Sequence, residues 1–189
     1  MVQVQEINIM KRCFWVDEKS DIYVKYHDEE WGKPKHDDIE LFELLILEGF
    51  QAGLSWITVL KKREAFRAAF DNFDVKKVAK YDENKVNELL KNEKIIRSKS
   101  KIEAAINNAK IFIAIQKEFG SFSNYIWAFT DGKVIKNTTD KFEVSTPLSD
   151  MVSKDLKKRG MKYVGTVIIY SYLQATGVIN DHETTCCCY

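Results

Sequence analysis

The sequence predicts an all-α fold, and three observations carry that prediction. With only 2 prolines and 8 glycines in 189 residues, the chain lacks the turn formers that a many-stranded sandwich or barrel needs. Apolar residues crowd into segments such as Leu41-Phe42-Glu43-Leu44-Leu45-Ile46-Leu47, dense enough to be buried all round. Thr146-Pro147 is a helix entry, because threonine can cap while proline takes a position whose N–H has no partner in any case.

Taken in order, a central helix begins near Asp38, and Ser55 is placed to cap a second one running through Phe66 and Phe70. Further helices are expected near Asp74 to Lys80, Asp82 to Leu90, Ser98 to Glu118 and Phe122 to Phe129. Asp131-Gly132 marks a turn, and the polar stretch to Val144 reads as a short hairpin or loop. The helix entered at Thr146 stops at Gly160, and another apolar helix runs from Thr166 to Ala175 and ends at Gly177.

The length allows one domain, or two small lobes around a shared cleft. At 45% hydrophobic and 30% charged residues, the disordered, collagenous and low-complexity classes are excluded. No apolar run approaches the roughly 18 residues of a membrane span, and no secretory signal opens the chain, so the expected location is cytoplasmic. Four cysteines, one near the start and three adjacent at the end, make a poor disulfide framework and suggest metal ligation or a thiol cluster.

A formal net charge of +1 hides strong local imbalance. Asp17 to Glu48 holds eleven acidic residues against four lysines. Basic density lies in Lys61-Lys62-Arg63, in Lys91 to Lys101 and in Lys154 to Lys162, which are either one stripe in space or three solvated helix faces. The last cluster contains Leu156-Lys157-Lys158-Arg159-Gly160-Met161-Lys162-Tyr163-Val164-Gly165-Thr166, read as helix, hairpin, helix. Such a hairpin leaves N–H groups free at the second helix to hold a phosphate while Lys158 and Lys162 neutralise it and Gly160 and Gly165 let the backbone approach, although helical hairpins also occur without DNA.

Trp15, Tyr23, Tyr26, Trp31 and Trp56 stand in or beside the acidic third and can form a stacking box for a flat, preferably cationic, heterocycle, or they are simply core. Glu48 tips the balance toward the first reading, since it lies inside Leu44-Leu45-Ile46-Leu47-Glu48-Gly49-Phe50, where a carboxylate needs a partner or a task. His182 and Cys186 are four apart, suited to one face of a helical turn, and Cys13 with His27 can complete a tetrahedral zinc site. Spacing alone leaves Cys187 and Cys188 as rivals of Cys186.

Several blocks together carry a resemblance: Cys13-x-Trp15, Tyr23-x-x-Tyr26-His27-Asp28-x-Glu30-Trp31-Gly32, Leu47-Glu48-Gly49-x-Gln51-Ala52-Gly53-Leu54-Ser55-Trp56, Leu60-Lys61-Lys62-Arg63, Leu156-Lys157-Lys158-Arg159-Gly160 and Asn180-Asp181-His182. From about Lys11 to Tyr189 the chain resembles the bacterial 3-methyladenine DNA glycosylase I family of the helix-hairpin-helix superfamily. The resemblance implies a single all-helical glycosylase domain over residues 11–189, two lobes around a base-binding cleft, preceded by a disordered extension over 1–10. It implies one structural zinc ion joining the chain ends through Cys13, His27, His182 and Cys186, even though the interval from Cys13 to His27 is one residue longer than the family pattern.

The same resemblance assigns the base pocket to Glu48, Tyr26 and Trp56, with Trp15, Tyr23 and Trp31 around them, and places Gly53 and Leu54 near the DNA, where they can plug the gap left by an extruded nucleotide. The implied activity is release of 3-methyladenine from alkylated double-stranded DNA by a monomer, with Glu48 as the recognising and catalytic carboxylate. Asn180 falls where relatives in the superfamily keep an aspartate, so Asp181 is given no catalytic role, and no lysine follows the hairpin to support a lyase step. A non-catalytic sensor of alkylated bases is the competing reading, whereas the His-x-Glu and Pro-Cys-x-x-Cys pattern of a zinc deaminase is absent.

Overall fold

The computed structural model describes residues 10–139 and 141–189. Ten α-helices appear among them: α1 (Asp21–Glu29), α2 (Asp38–Gln51), α3 (Trp56–Leu60), α4 (Arg63–Ala69), α5 (Val75–Val78), α6 (Glu83–Lys91), α7 (Lys99–Phe119), α8 (Phe122–Ala128), α9 (Pro147–Lys158) and α10 (Thr166–Ala175). A single 3-10 turn, Asp71–Phe73, links α4 to α5. The extension expected over residues 1–10 lies, apart from Met10, outside the described residues.

Helix α2 is the axis of the molecule. Every residue from Leu41 to Phe50 is buried, as its all-round apolar pattern requires. Asp37 caps its start by accepting from the Ile39 and Glu40 N–H groups. Asp38 reaches across to α8 and accepts from the Phe122 and Ser123 N–H groups at 2.9 and 2.8 Å. Glu43, the first carboxylate inside the apolar run, is neutralised by Arg63 Nε at 2.5 Å and Arg67 Nε at 2.9 Å, which ties α4 to α2. Glu48, one turn further on, has no such partner.

Around α2 pack α7, α8 and α10, with rings filling the gaps. Phe112 and Phe122 stack at 4.0 Å, and Phe50 meets Phe66 edge to face at 4.8 Å. The Thr146 entry is a complete capping box, with the Thr146 hydroxyl accepting from the Ser149 N–H and the Ser149 hydroxyl accepting from the Thr146 N–H.

Three expectations need correction. The helix expected from Ser55 through Phe70 is broken into α3 and α4 at Lys61-Lys62, where the chain turns so that Arg63 points back at Glu43. Ser55 stands at the start of α3, yet its hydroxyl contacts the Thr58 hydroxyl at 2.8 Å and caps no N–H. The stretch before Val144 forms no hairpin with itself. Instead β1 (Ile135–Lys136) pairs in parallel with β2 (Ile179–Asn180), joining the segment after α8 to the segment after α10. Helix α1 is an addition to the expected set, because its one apolar face is made of rings that the sequence pattern assigns to a binding box.

Candidate active site and metal cluster

The last turn of α2, helix α1, helix α10 and the residues Asn137, Lys141 and Phe142 line a cavity of about 300 Å³. All six residues expected to handle the base line it. Tyr26 and Trp56 face one another at 5.4 Å, while Trp15 contacts Tyr23 at 5.2 Å and Trp31 at 4.9 Å. The rings therefore form two groups in a cavity that Glu48, Asp181 and Glu183 also line, and of these three carboxyl groups Glu48 is the buried one.

Glu48 is 3% exposed, and its burial pushes the carboxyl up to about 8. Among the described residues, two buried side-chain polar atoms lack any hydrogen-bond partner, Glu48 Oε2 and Trp56 Nε1, and both belong to this cavity. An unmet buried polar atom costs about 1–3 kcal/mol, and two of them in one cavity are a site built for a ligand with its own donors and acceptors. Burial first, and the Glu48 charge second, hold the Tyr23 and Tyr26 phenols above their ordinary range, so both keep their protons.

Directly behind the rings the chain ends meet. Cys13, His27, His182 and Cys186 are all buried, with their ligand atoms within 4.8 Å of one another. Cys13 Sγ lies 3.5 Å from His182 Nδ1, and Cys186 Sγ lies 3.4 Å from His27 Nε2 and 3.6 Å from His182 Nδ1. A tetrahedral ion with bonds of about 2.1 Å to nitrogen and 2.3 Å to sulfur sets its ligands ~3.6 Å apart, so the cluster fits a metal. The outward ring nitrogens are anchored, His27 Nδ1 to Asp28 Oδ1 at 2.7 Å and His182 Nε2 to the Trp31 carbonyl at 3.2 Å, as metal-binding imidazoles require. Burial lowers His182 to about 4, keeping the ring neutral and its Nδ1 lone pair available.

Of the three adjacent thiols only Cys186 is buried with Cys13, His27 and His182; Cys187 is exposed and Cys188 half-buried, and these two fall in two further groupings, Cys186 with Cys187 and Cys188, and His27 with Asp28 and Cys188. Gly32 makes the His182 approach possible, since a Cβ there would stand 3.0 Å from the imidazole and the backbone is left-handed at φ 73°. Residues 14–20 form no helix, so the one-residue lengthening between Cys13 and His27 is absorbed in loop.

The hairpin 159–165 joins α9 to α10 as expected, with Gly160 at φ 94° turning the chain. Lys158 and Lys162 are exposed, and nothing stands within 4 Å of a Cβ built on Gly165, which precedes the uncapped start of α10. The hairpin leads straight to the cavity, because Ser171 and Gln174 of α10 line it. Gly53 and Leu54 stand exposed in the loop between α2 and α3, flanked by the cavity residues Gln51 and Trp56.

Sequence reasoning missed what holds the hairpin. Asn108 is 4% exposed on α7 and clamps Lys162 twice, its Nδ2 donating to the carbonyl at 2.8 Å and its Oδ1 accepting from the N–H at 2.9 Å. The signal was there, a polar Asn107-Asn108 pair between the apolar runs Ala104-Ala105-Ile106 and Ile111-Phe112-Ile113. Asn108→Ala is expected to cost about 2 kcal/mol, about 1 for each lost bond. It should weaken binding to undamaged duplex while leaving free-base binding unchanged, readable by fluorescence titration with each ligand.

The methyladenine glycosylase family matches residues 15–189. The chain belongs to that family. Among methyladenine glycosylases, it is 48% identical over 183 residues to the Escherichia coli (strain K12) protein named DNA-3-methyladenine glycosylase 1, covering 95% of this chain and 97% of that relative. A crystal structure of 3-methyladenine DNA glycosylase I superposes with a TM-score of 0.90 at 49% identity, covering 95% of this chain and 100% of that one. A tyrosine-to-phenylalanine variant of such a methyladenine glycosylase, solved in complex with 3-methyladenine, superposes with a TM-score of 0.85 at 36% identity over 89% of this chain and 92% of that one.

Proposed function

We propose that this chain extrudes 3-methyladenine from alkylated double-stranded DNA and hydrolyses its N-glycosidic bond, without a lyase step. The single observation that carries the reading is the pair of unmet polar atoms, Glu48 Oε2 and Trp56 Nε1, inside a cavity lined by aromatic rings in a methyladenine glycosylase. A nucleoside methylated at N3 of adenine is a cation whose base departs neutral, so it suits rings and a carboxyl group together. Its glycosidic bond is already weakened, and the protein has to recognise and position it rather than activate a poor leaving group.

In this reading the hairpin holds the duplex by its phosphates through Gly160, Gly165, Lys158, Lys162 and the free N–H groups at the start of α10. Gly53 and Leu54 fill the space the nucleotide vacates. The base then enters between Tyr26 and Trp56, with Trp15, Tyr23 and Trp31 closing the box, and Glu48 accepts from the edge of the cationic adenine. As positive charge passes from the base to the sugar, the same carboxylate stabilises it at short range, its catalytic role.

The metal belongs to the scaffold. Cys13, His27, His182 and Cys186, two nitrogens and two sulfurs, would hold one zinc ion, which would pin the chain ends and, with four protein ligands, would offer no open position for a water nucleophile. A monomer working in the cytoplasm accords with this reading, and among the described residues no helix is long and apolar enough to cross a membrane.

The test is base release. The purified chain, incubated with duplex DNA treated with a methylating agent, should free 3-methyladenine identifiable by chromatography and leave the strand uncut at neutral pH. Retention of the base by a folded, metal-loaded protein that still binds methylated duplex would favour the sensor reading instead.

A further inference from the structure

The cavity has a feature that base recognition does not use. Phe14 and Phe142 line it, yet they are 71% and 75% exposed, so they stand at its mouth. They come from segments far apart in the chain and meet edge to face, with ring centroids 5.8 Å apart. Neither packs into either apolar core.

Polar contacts anchor the backbone at Phe14 and at Asn137, on the segment that leads to Phe142. The Phe14 N–H donates to Glu183 Oε1 at 2.9 Å, and Phe14 sits between the metal ligand Cys13 and the ring of Trp15. On the other side Asn137 Nδ2 donates to Asp181 Oδ1 at 2.5 Å and its backbone N–H donates to the Asn180 carbonyl at 2.9 Å, which fixes the base of the segment carrying Phe142. Lys141, next to Phe142, also lines the cavity, is exposed, and has no ion-pair partner within 4.0 Å among the described residues.

Exposed aromatic surface continuous with a ligand cavity marks contact with the rest of that ligand. In an extruded nucleotide the base is joined to a deoxyribose, apolar on its C–H faces, and the deoxyribose to an anionic phosphate, so these two groups lie at the mouth when the base is inside. We infer that Phe14, Phe142 and Lys141 form a rim that receives the sugar and adjoining phosphate of the extruded nucleotide, the rings packing on the deoxyribose and Lys141 neutralising the phosphate. The inference rests on the proposed glycosylase reading and adds to it a group of residues that distinguish a damaged nucleotide within DNA from the free base.

Free 3-methyladenine carries neither sugar nor phosphate, and this separates the rim from the pocket. In the full-length, metal-loaded protein, Phe14→Ala combined with Phe142→Ala should lower kcat/KM for base release from methylated duplex by about 5- to 20-fold, while the affinity for free 3-methyladenine, read from tryptophan fluorescence, stays as in the wild type. Lys141→Ala should reduce the slope of log affinity against log salt for methylated duplex by about 1. Unchanged kcat/KM in the double variant overturns the inference, and so does a parallel loss of free-base affinity, which would make the rings part of the base pocket or of the fold. Absence of base release by the wild type itself would mean that the glycosylase reading has failed, and the rim with it.

Discussion

Glu48→Gln should slow release of 3-methyladenine about 10- to 100-fold and, at the same time, make the protein more stable. The two effects have one cause. Removing a charge from a hydrogen bond to a cationic partner forfeits about 1.5–3 kcal/mol, and the rate follows at tenfold per 1.36 kcal/mol. The shape of the side chain is kept, so the rings around it remain in place. Against this, the Glu48 carboxyl is buried with one oxygen unmet, and burial lifts it from 4.5 to about 8. A carboxyl raised on folding prefers its proton in the native state. Its contribution to stability is therefore fully present below pH 4.5 and declines as pH rises toward 8, by about 1.4 kcal/mol per unit and on the order of 5 kcal/mol over that range. Denaturant titrations at pH 5 and pH 8.5 should show the wild type losing ground and Glu48→Gln holding level, with a gap of about 2–4 kcal/mol at the higher pH.

The same carboxyl sets a pH dependence of binding. Below pH 8 the protonated group must release its proton to meet a cationic base, so single-turnover excision should rise with pH and level off near 8. The Gln variant has nothing to titrate there, and its profile should be flat. A variant as active as the wild type would remove Glu48 from the recognition of the base, and one that unfolds would overturn the stability argument.

Much of this site was legible because its residues violate simple expectations. A carboxylate inside Leu44-Leu45-Ile46-Leu47-Glu48-Gly49-Phe50 stands out in any reading of hydrophobic pattern, and the structure leaves it unpartnered. Glu43 interrupts the same run and looks no different in sequence, yet Arg63 and Arg67 satisfy it from a helix whose position depends on the break at Lys61-Lys62. That break was invisible because lysines are good helix formers. The β1 and β2 pairing was also illegible: two residues per strand carry no periodicity, and their register is fixed by contacts across more than forty positions. The rim at Phe14 and Phe142 is a matter of exposure, which sequence does not give. The metal cluster fell between these cases. Cys13, His27 and His182 do come together with a thiol, but which thiol faces inward, Cys186 rather than its two neighbours, is a matter of burial, and a CCC run offers all three equally.

Stripping the metal should be the most destabilising change of all, and its effect on the pocket should be indirect. An ion held as proposed would join residues 13 and 27 to residues 182 and 186, closing the ends of the chain on one another. Without the ion the cluster becomes two thiols and two imidazoles packed together in a dry interior, and burial pushes the Cys13 thiol up to about 12. Single polar contacts also tie the ends, among them the Cys187 N–H to the Lys11 carbonyl, Lys11 Nζ to the Thr185 hydroxyl, the Phe14 N–H to Glu183 Oε1 and His182 Nε2 to the Trp31 carbonyl. Since ions of this kind bind the folded state and barely the unfolded one, the loss is the binding free energy itself. A loss of about 5 kcal/mol would lower the melting temperature by about 10–20 °C. His182 and His27 are the back wall of the aromatic box, with Trp31 edge-on to His182 at 4.6 Å and Trp15 edge-on to His27 at 5.3 Å, so the rings should loosen together with the ends. Calorimetry with and without a strong chelator, and with Cys186→Ser, tests this. At temperatures where the stripped protein stays folded, the excision rate with saturating DNA should fall far less than stability does. A rate lost in proportion to metal content, with stability unchanged, would place the ion in the chemistry rather than the scaffold.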